Sequence, residues 1–357
     1  MMKNVLKISF VIIGTMIGAG FASGQEINLF FNCYGNIGIL GMILSCLLTG
    51  FIIYQVFQIL QKRNIHNYSE FLENISPHKK LNQMVQMIIH IFLLLSFYIM
   101  VAGFCAYFEQ EFQIPIWISA IVMALLCYIT FRSDMKGVIS INTFLIPFLI
   151  VFIFYLGIKN IPFLNSYFSQ PSNLNLSSGN SLEWIISSVI YASYNNILLI
   201  PILIELNEKI ENQSTIKKVS LFCFAILAIL GICLCGLLIR GDGYSNTLEL
   251  PMIQIVKEFG VVYPWIYGIV IIVAIFTSAI SAGYGFLKNV TKTKKSYQKL
   301  VFLLCISSIF ITSIGFSNLV NLLYPIFGIL GFVQIFQIVK SVKKKVKCNS
   351  AQKMQFL

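Results

Sequence analysis

Ten runs of apolar residues, each close to bilayer length, constrain this chain more than any other feature of its sequence. A spanning helix needs about 20 predominantly apolar residues. The runs lie near 5–32, 36–61, 84–109, 114–132, 138–158, 182–206, 216–239, 261–287, 299–315 and 318–340. Lipid offers no hydrogen bonds to a bare backbone, so runs of this kind close on themselves as helices. Only 11% of the residues are charged, against about 25% in a soluble domain. The expected fold class is therefore an all-α, multi-pass membrane protein, and a water-soluble enzyme is excluded. The first run continues from Val5 past Phe30, beyond the apolar core of about 7–15 residues in a signal peptide, so it is read as a span.

Orientation follows from Lys and Arg, which collect on the cytoplasmic side. With the N-terminus inside, all of the 25 basic residues except Lys159, Arg240 and Lys257 fall on inner segments. An error of one helix would scramble that alternation, so the charges support the count of ten independently. Both termini are expected in the cytoplasm, with the chain in the cell membrane of a bacterium. Lys343-Lys344-Lys345 follows the last span, where basic residues fix topology and meet anionic lipid heads. The net charge of +12 thus calls for a bilayer as partner and no nucleic acid. Cys46, Cys105, Cys127, Cys223, Cys233, Cys235 and Cys305 sit inside apolar runs and read as small membrane-core residues. The histidines His66, His78 and His90 fall in or beside one polar loop. No cofactor is expected beyond a coupling ion, Na+ or H+.

The chain divides at its longest polar outer stretch. One transmembrane domain is expected over 1–357. Its first repeat covers about 5–158, its outer loop 159–181, its second repeat about 182–340 and its basic tail 341–357. Five spans on each side is an odd number, so the second half enters the membrane from the opposite face. That is the inverted-repeat arrangement of many secondary transporters; a ten-helix protein without internal symmetry satisfies the same count. Matching interruptions favour the repeat. Span one reads Gly14-Thr15-Met16-Ile17-Gly18-Ala19-Gly20-Phe21-Ala22-Ser23-Gly24-Gln25-Glu26, and each glycine weakens a helix by about 1 kcal/mol relative to alanine. Span six reads Tyr191-Ala192-Ser193-Tyr194-Asn195-Asn196, then Pro201, a polar stretch that is costly at mid-membrane depth unless it lines a cavity. Both helices are expected to be broken. Glycines four apart also suit a close-packing face, but packing alone leaves Ser23, Gln25 and Glu26 unexplained.

The first-span motif from Gly14 to Glu26 resembles that of the YkvI-like bacterial membrane proteins, a group similar to the amino acid–polyamine–organocation superfamily, whose members share the LeuT fold. The resemblance covers essentially the whole chain in length and helix count and implies a 5+5 inverted-repeat fold with broken helices 1 and 6. In sodium-coupled members of that fold, one ion joins helix one to helix eight. Span eight here reads Ala274-Ile275-Phe276-Thr277-Ser278, similar to the Ala-x-x-Thr-Ser motif of those members. The resemblance then implies a Na+ site of Gly14, Ile17, Ala274, Thr277 and Ser278, five neutral oxygens suited to a monovalent hard cation. Alternatively, Thr277 and Ser278 bond back to their own helix. The same carry-over implies a substrate carboxylate on the N–H groups of Gly18, Ala19 and Gly20, with Tyr191, Ser193, Tyr194 and Asn195 from span six. Tyr98, near the middle of span three, is the candidate aromatic lid; a plain packing role is its alternative.

Glu26 is the clearest acid within a span, and it departs from the apolar residue or proline common there in amino acid transporters of the fold. An intramembrane acid is a functional-site candidate by default. Three roles fit it: holding a substrate ammonium group, carrying a coupling proton, or bonding across the bundle. Glu205, near the inner end of span six, is read as interfacial. Arg240 and Asp242 are expected to pair in the outer loop, with a short helix after Pro251. The inner loop from Lys62 to Gln83 is expected to be a surface segment. The expected function is a secondary active transporter of a small polar or zwitterionic, amino-acid-like solute. A permease-like ligand sensor, similar to the membrane subunits of spore-germinant receptors, is the alternative. An intramembrane enzyme is disfavoured, because no nucleophile–base pair or paired acids occur within the spans.

Overall fold

The computed structural model describes residues 2–65, 67–76, 78–132, 136–170, 182–210, 212–241, 248–291 and 293–354. Span one is three helices in series: α1 (Met2–Met16), α2 (Ala19–Ser23) and α3 (Gln25–Phe30). Spans two to five are α4 (Ile37–Arg63), α6 (Lys79–Phe112), α7 (Ile116–Arg132) and α8 (Lys136–Phe168), with α5 (Tyr68–Ile75) between the first two. Spans six to eight are α9 (Glu183–Leu206), α10 (Gln213–Arg240) and α12 (Tyr263–Val290), with α11 (Pro251–Lys257) between the last two. Spans nine and ten are α13 (Lys294–Ile311) and α14 (Phe316–Met354). Eight described helices are long and apolar enough to cross a bilayer, and α1 and α7 are shorter apolar helices. Outward faces are apolar, as lipid requires: Trp117, Leu125 and Ile129 of α7 are all exposed. This is an all-α membrane protein.

The glycine-rich stretch breaks as its sequence predicts, at two points. Gly18 N–H turns to Met16 O at 3.0 Å instead of to Gly14 O, which interrupts the helical ladder; Ala22 N–H to Gly18 O at 3.0 Å restarts it. The second break is Gly24, at φ +82°, a left-handed conformation that glycine adopts without a Cβ penalty. Ser23 bridges it, its hydroxyl donating to Gly20 O at 3.0 Å and accepting from Gln25 N–H at 3.2 Å.

Span six differs from the expectation of a break: α9 runs unbroken from Glu183 to Leu206. Its polar residues turn their donors onto their own helix. Ser193 Oγ donates to Val189 O at 2.7 Å, Asn195 Nδ2 to Tyr191 O at 3.0 Å and Asn196 Nδ2 to Ala192 O at 2.5 Å. Such back-bonding lets a polar stretch stay helical in an apolar setting. Pro201 lies inside α9 and removes one backbone donor without ending the helix.

The main packing pairs are α6 with α12, α9 with α14, and α4 with both α9 and α10. Span ten meets span six along a seam of small residues. A Cβ at Gly331 would lie 2.6 Å from Ser193 O, and one at Gly328 would lie 2.6 Å from Ile190 O. Span five continues beyond the expected end at 158 to Phe168, so part of the expected outer loop is helical. Lys159 does not end it, because its ammonium reaches sideways over Tyr263, with Nζ 2.8 Å from the hydroxyl.

At one end of the bundle, α11 lies over the second break, with Met252 against Gly24. Gln110 exchanges two hydrogen bonds with the backbone of Leu250, at 3.2 and 3.1 Å, and Lys257 pairs with Glu111 at 2.8 Å. Arg240 pairs with Glu258 at 2.6 Å; its expected partner Asp242 lies outside the described residues. At the opposite end, α5 is docked rather than free, with Phe71 and Leu72 fully buried. Asn67 caps it by accepting from Glu70 N–H at 2.8 Å, and Gln334 Nε2 donates to Tyr68 OH at 2.6 Å. The Phe71-Leu72 pair, one hydrophobic patch in a polar loop, is the feature that a surface reading undervalues. Glu205 is exposed.

Candidate functional site

The two breaks of span one bracket Gly20, and helix α3 then turns Glu26 back toward it. Glu26 is buried, at 4% exposure. The hydroxyl of Tyr194 from α9 donates to Glu26 Oε2, and Tyr324 from α14 makes a second hydrogen bond to the same carboxyl. Three spans, one, six and ten, therefore converge on one acid. The rings of Tyr194 and Tyr324 stack at 4.8 Å between centroids, and Phe30 stacks with Tyr194 at 5.7 Å. Tyr191 stands edge-on to Tyr194 at 5.4 Å, and Phe92 from span three does so at 6.5 Å. The result is a carboxyl held by tyrosine hydroxyls at the edge of an aromatic cluster.

Backbone approach completes the site. A Cβ on Gly20 would lie 2.0 Å from Glu26 Oε1, whereas one on Gly18 would have nothing within 4 Å. The space beside the first break is open, and the space beside the acid is filled. Gly20→Ala is therefore expected to push the carboxyl off its tyrosines, at about 1–3 kcal/mol of overpacking. Gly18→Ala should leave stability within about 0.5 kcal/mol. Thermal unfolding of the two purified variants checks the contrast. Next to Glu26, Gln25 Nε2 lies 3.5 Å from Asn321 Oδ1, and Gln25 Oε1 is buried with no hydrogen-bond partner among the described residues.

Of the predicted substrate residues, the fold brings together Gly18, Gly20, Glu26, Tyr191 and Tyr194, with the Ala19 backbone at the start of α2. Ser193 and Asn195 are buried, with their donors on their own helix as described. Tyr98 faces elsewhere: its hydroxyl is 2.8 Å from Ser307 Oγ of span nine. The predicted ion residues are less closely grouped. A Cβ on Gly14 would point at Ile146 of span five. Ile17 and Ala274 are buried, and Ser278 is half-buried. Thr277 is fully buried, and its hydroxyl donates to Val273 O at 2.9 Å and Ala274 O at 3.2 Å. The direct link between spans one and eight is instead Tyr267, whose buried hydroxyl donates to Ala22 O. Among the described residues, no three His, Cys, Asp or Glu side chains converge in a metal-binding group.

No protein-family model matches the chain. It is 28% identical over 330 residues to the uncharacterized membrane protein YkvI of Bacillus subtilis (strain 168), covering 90% of this chain and 91% of that one. It is 25% identical over 326 residues to YyaD of the same organism, covering 91% and 93%. Among solved structures, an inward-facing conformation of Mhp1 superposes with a TM-score of 0.65 at 10% identity, covering 91% of this chain and 72% of that one. A manganese transporter of Eremococcus coleocola gives 0.59 at 12% identity, covering 93% and 77%. A Na+-coupled sialic acid symporter gives 0.58 at 14% identity, covering 94% and 78%. The chain has the LeuT fold of these structures and is similar to YkvI over nearly its whole length.

Three residues of this site escaped the sequence: Tyr324, Asn321 and Phe92. Tyr324 is one of 16 tyrosines, and nothing in the run around it marks its hydroxyl as aimed at an acid 298 positions earlier. Asn321 carried a weak signal, as an amide in an otherwise apolar run.

Proposed function

We propose that this chain is a secondary active transporter of a small polar or zwitterionic solute bearing an amino group, working by alternating access in the cell membrane with both termini in the cytoplasm. The observation that carries this reading is Glu26, a buried acid at a broken helix, gripped by hydroxyls from two other spans. Interrupted helices at mid-membrane mark the central site of such transporters. Alternating access here moves spans one, two, six and seven against three, four, eight and nine. The solute's amino group meets Glu26, and its other polar end meets the backbone of Gly18, Ala19 and Gly20 beside the open space at the first break.

Coupling to Na+ or H+ supplies the driving force. A sodium ion would be held by Gly14 O, Ile17 O, Ala274 O and the hydroxyls of Thr277 and Ser278. Thr277 donates its hydroxyl proton to its own helix, which leaves oxygen lone pairs free to accept a cation. The test is thermal stability of the detergent-purified protein against a panel of amino acids and amines, in sodium and in potassium. A ligand that binds only the folded state raises stability by mass action. Stabilisation by one solute class, followed by its uptake into proteoliposomes, is the expected result. Stabilisation without any uptake would overturn the transporter reading. Thr277→Ala combined with Ser278→Ala should abolish any sodium-dependent shift while leaving the protein folded, and an unaltered sodium response would sink the ion assignment.

A further inference from the structure

The geometry points to Glu26 as an exchange site, where a proton and the ammonium group of a monovalent organic cation compete for one carboxyl. This rests on the transporter reading and narrows it to a substrate class and a coupling rule. A carboxylate buried in an apolar interior needs a countercharge, or it takes up a proton. Among the described residues no protein cation pairs with it. Both ion pairs among the described residues, Arg240–Glu258 and Lys257–Glu111, are at the outer surface. The titratable groups facing Glu26 are neutral phenols: Tyr191 and Tyr194 from α9 and Tyr324 from α14. From α10 it is Leu238 that reaches the second break, while Lys217, Lys218 and Arg240 stand at that helix's ends. Helix α2 carries no titratable side chain.

What surrounds the acid is suited to an organic cation. The hydroxyls of Tyr194 and Tyr324 reach it, and their rings stack with one another and with Phe30 and Tyr191 beside it; aromatic rings near an ammonium group attract it most strongly where water is excluded. The open space at the first break, beside Gly18 and two residues before Gly20, is where an alkyl or aryl body would extend from the charge. The balance is simple. On one side of the membrane, protonated Glu26 meets R–NH3+; its proton leaves to that aqueous phase, and the carboxylate pairs with the ammonium, which keeps its own protons. On the other side the ammonium leaves and a proton returns. Each cycle exchanges one positive charge for another. The empty carboxylate is the costly state, so the site crosses only when filled, which enforces antiport.

The experiment uses the full-length protein in detergent, weakly buffered, with a pH-indicator dye and thermal stability read in parallel. The probes are phenethylammonium chloride and choline chloride, with glycine and sodium chloride as controls. Near one proton released per protein is expected with an organic cation. The cation's apparent affinity should fall up to tenfold for each pH unit once the protonated form prevails. Glu26→Gln should release none. Tyr324→Phe keeps the ring but removes one hydrogen bond, and it should move the pH of half-maximal release. Cation binding without proton release, unchanged release in Glu26→Gln, or no response to either cation across pH 5–9 would each overturn exchange. Stabilisation by glycine or sodium without proton release would overturn exchange while leaving the transporter reading standing. If Glu26→Gln does not fold, the wild-type pH series and Tyr324→Phe decide alone.

Discussion

Glu26→Gln is expected to abolish solute uptake while leaving the protein folded. The amide has nearly the same shape and still offers an oxygen to the hydroxyls of Tyr194 and Tyr324. What it lacks is charge, so it neither pairs with an ammonium group nor carries a proton. Removing one partner of a buried charge pair costs about 2–5 kcal/mol, and each 1.4 kcal/mol is about tenfold in affinity. Uptake at low solute concentration should therefore drop by more than tenfold. Stability should hold, because the amide is the neutral isostere of the protonated acid, and rise wherever the wild-type carboxylate is ionised without a partner in an apolar site. Uptake into proteoliposomes, set beside thermal unfolding of the same preparation, checks both halves. Wild-type uptake with wild-type pH dependence would reduce Glu26 to a structural hydrogen bond.

Gly24→Val should have the largest effect on folding. Two costs add at this position. A β-branched residue at φ +82° pays about 1–2 kcal/mol for the left-handed conformation. Its Cβ would also lie 2.7 Å from Met252 Cγ and 3.2 Å from Leu238 Cδ2, an overpacking of about 1–3 kcal/mol. A total of about 2–5 kcal/mol is a large share of the stability of an ordinary domain. The expected result is little monodisperse protein after purification. Met252→Ala in the same chain relieves the contact and leaves the conformational cost, so the double variant should recover in part. Full recovery would mean the backbone at Gly24 imposes no demand of its own.

The break in span one is local physics, and the sequence displays it openly. Glycines at 14, 18, 20 and 24 weaken the ladder, and Gly24 then occupies the one conformation that needs glycine. Span six looked equally interrupted because Ser193, Asn195 and Asn196 are poor company for lipid. Each can return its donor to a carbonyl one turn back, so the same residues are consistent with an intact helix. Composition does not distinguish a polar stretch that unwinds from one that bonds to itself. The acid was legible for a similar local reason: Glu26 is costly where it stands. Its second partner was not legible, since the pairing of Tyr324 with Glu26 depends on how α14 lies against α9. That placement is tertiary. Tyr98 lies in the right span, but the helix turns Phe92 toward Tyr194 and sends the Tyr98 hydroxyl to Ser307.

The seam between spans six and ten bears on which ligands the site accepts. Lipid drives helices together no more strongly than it drives them apart, so such contacts depend on close approach. At Gly328 and Gly331 that approach is backbone on backbone, and it holds the two stacked phenols at 4.8 Å. A bulkier ligand gains no room there from a rotamer flip. Widening the gap means shifting the axis of a whole helix, so in the proposed role discrimination by size would belong to the main chain rather than to the aromatic rings.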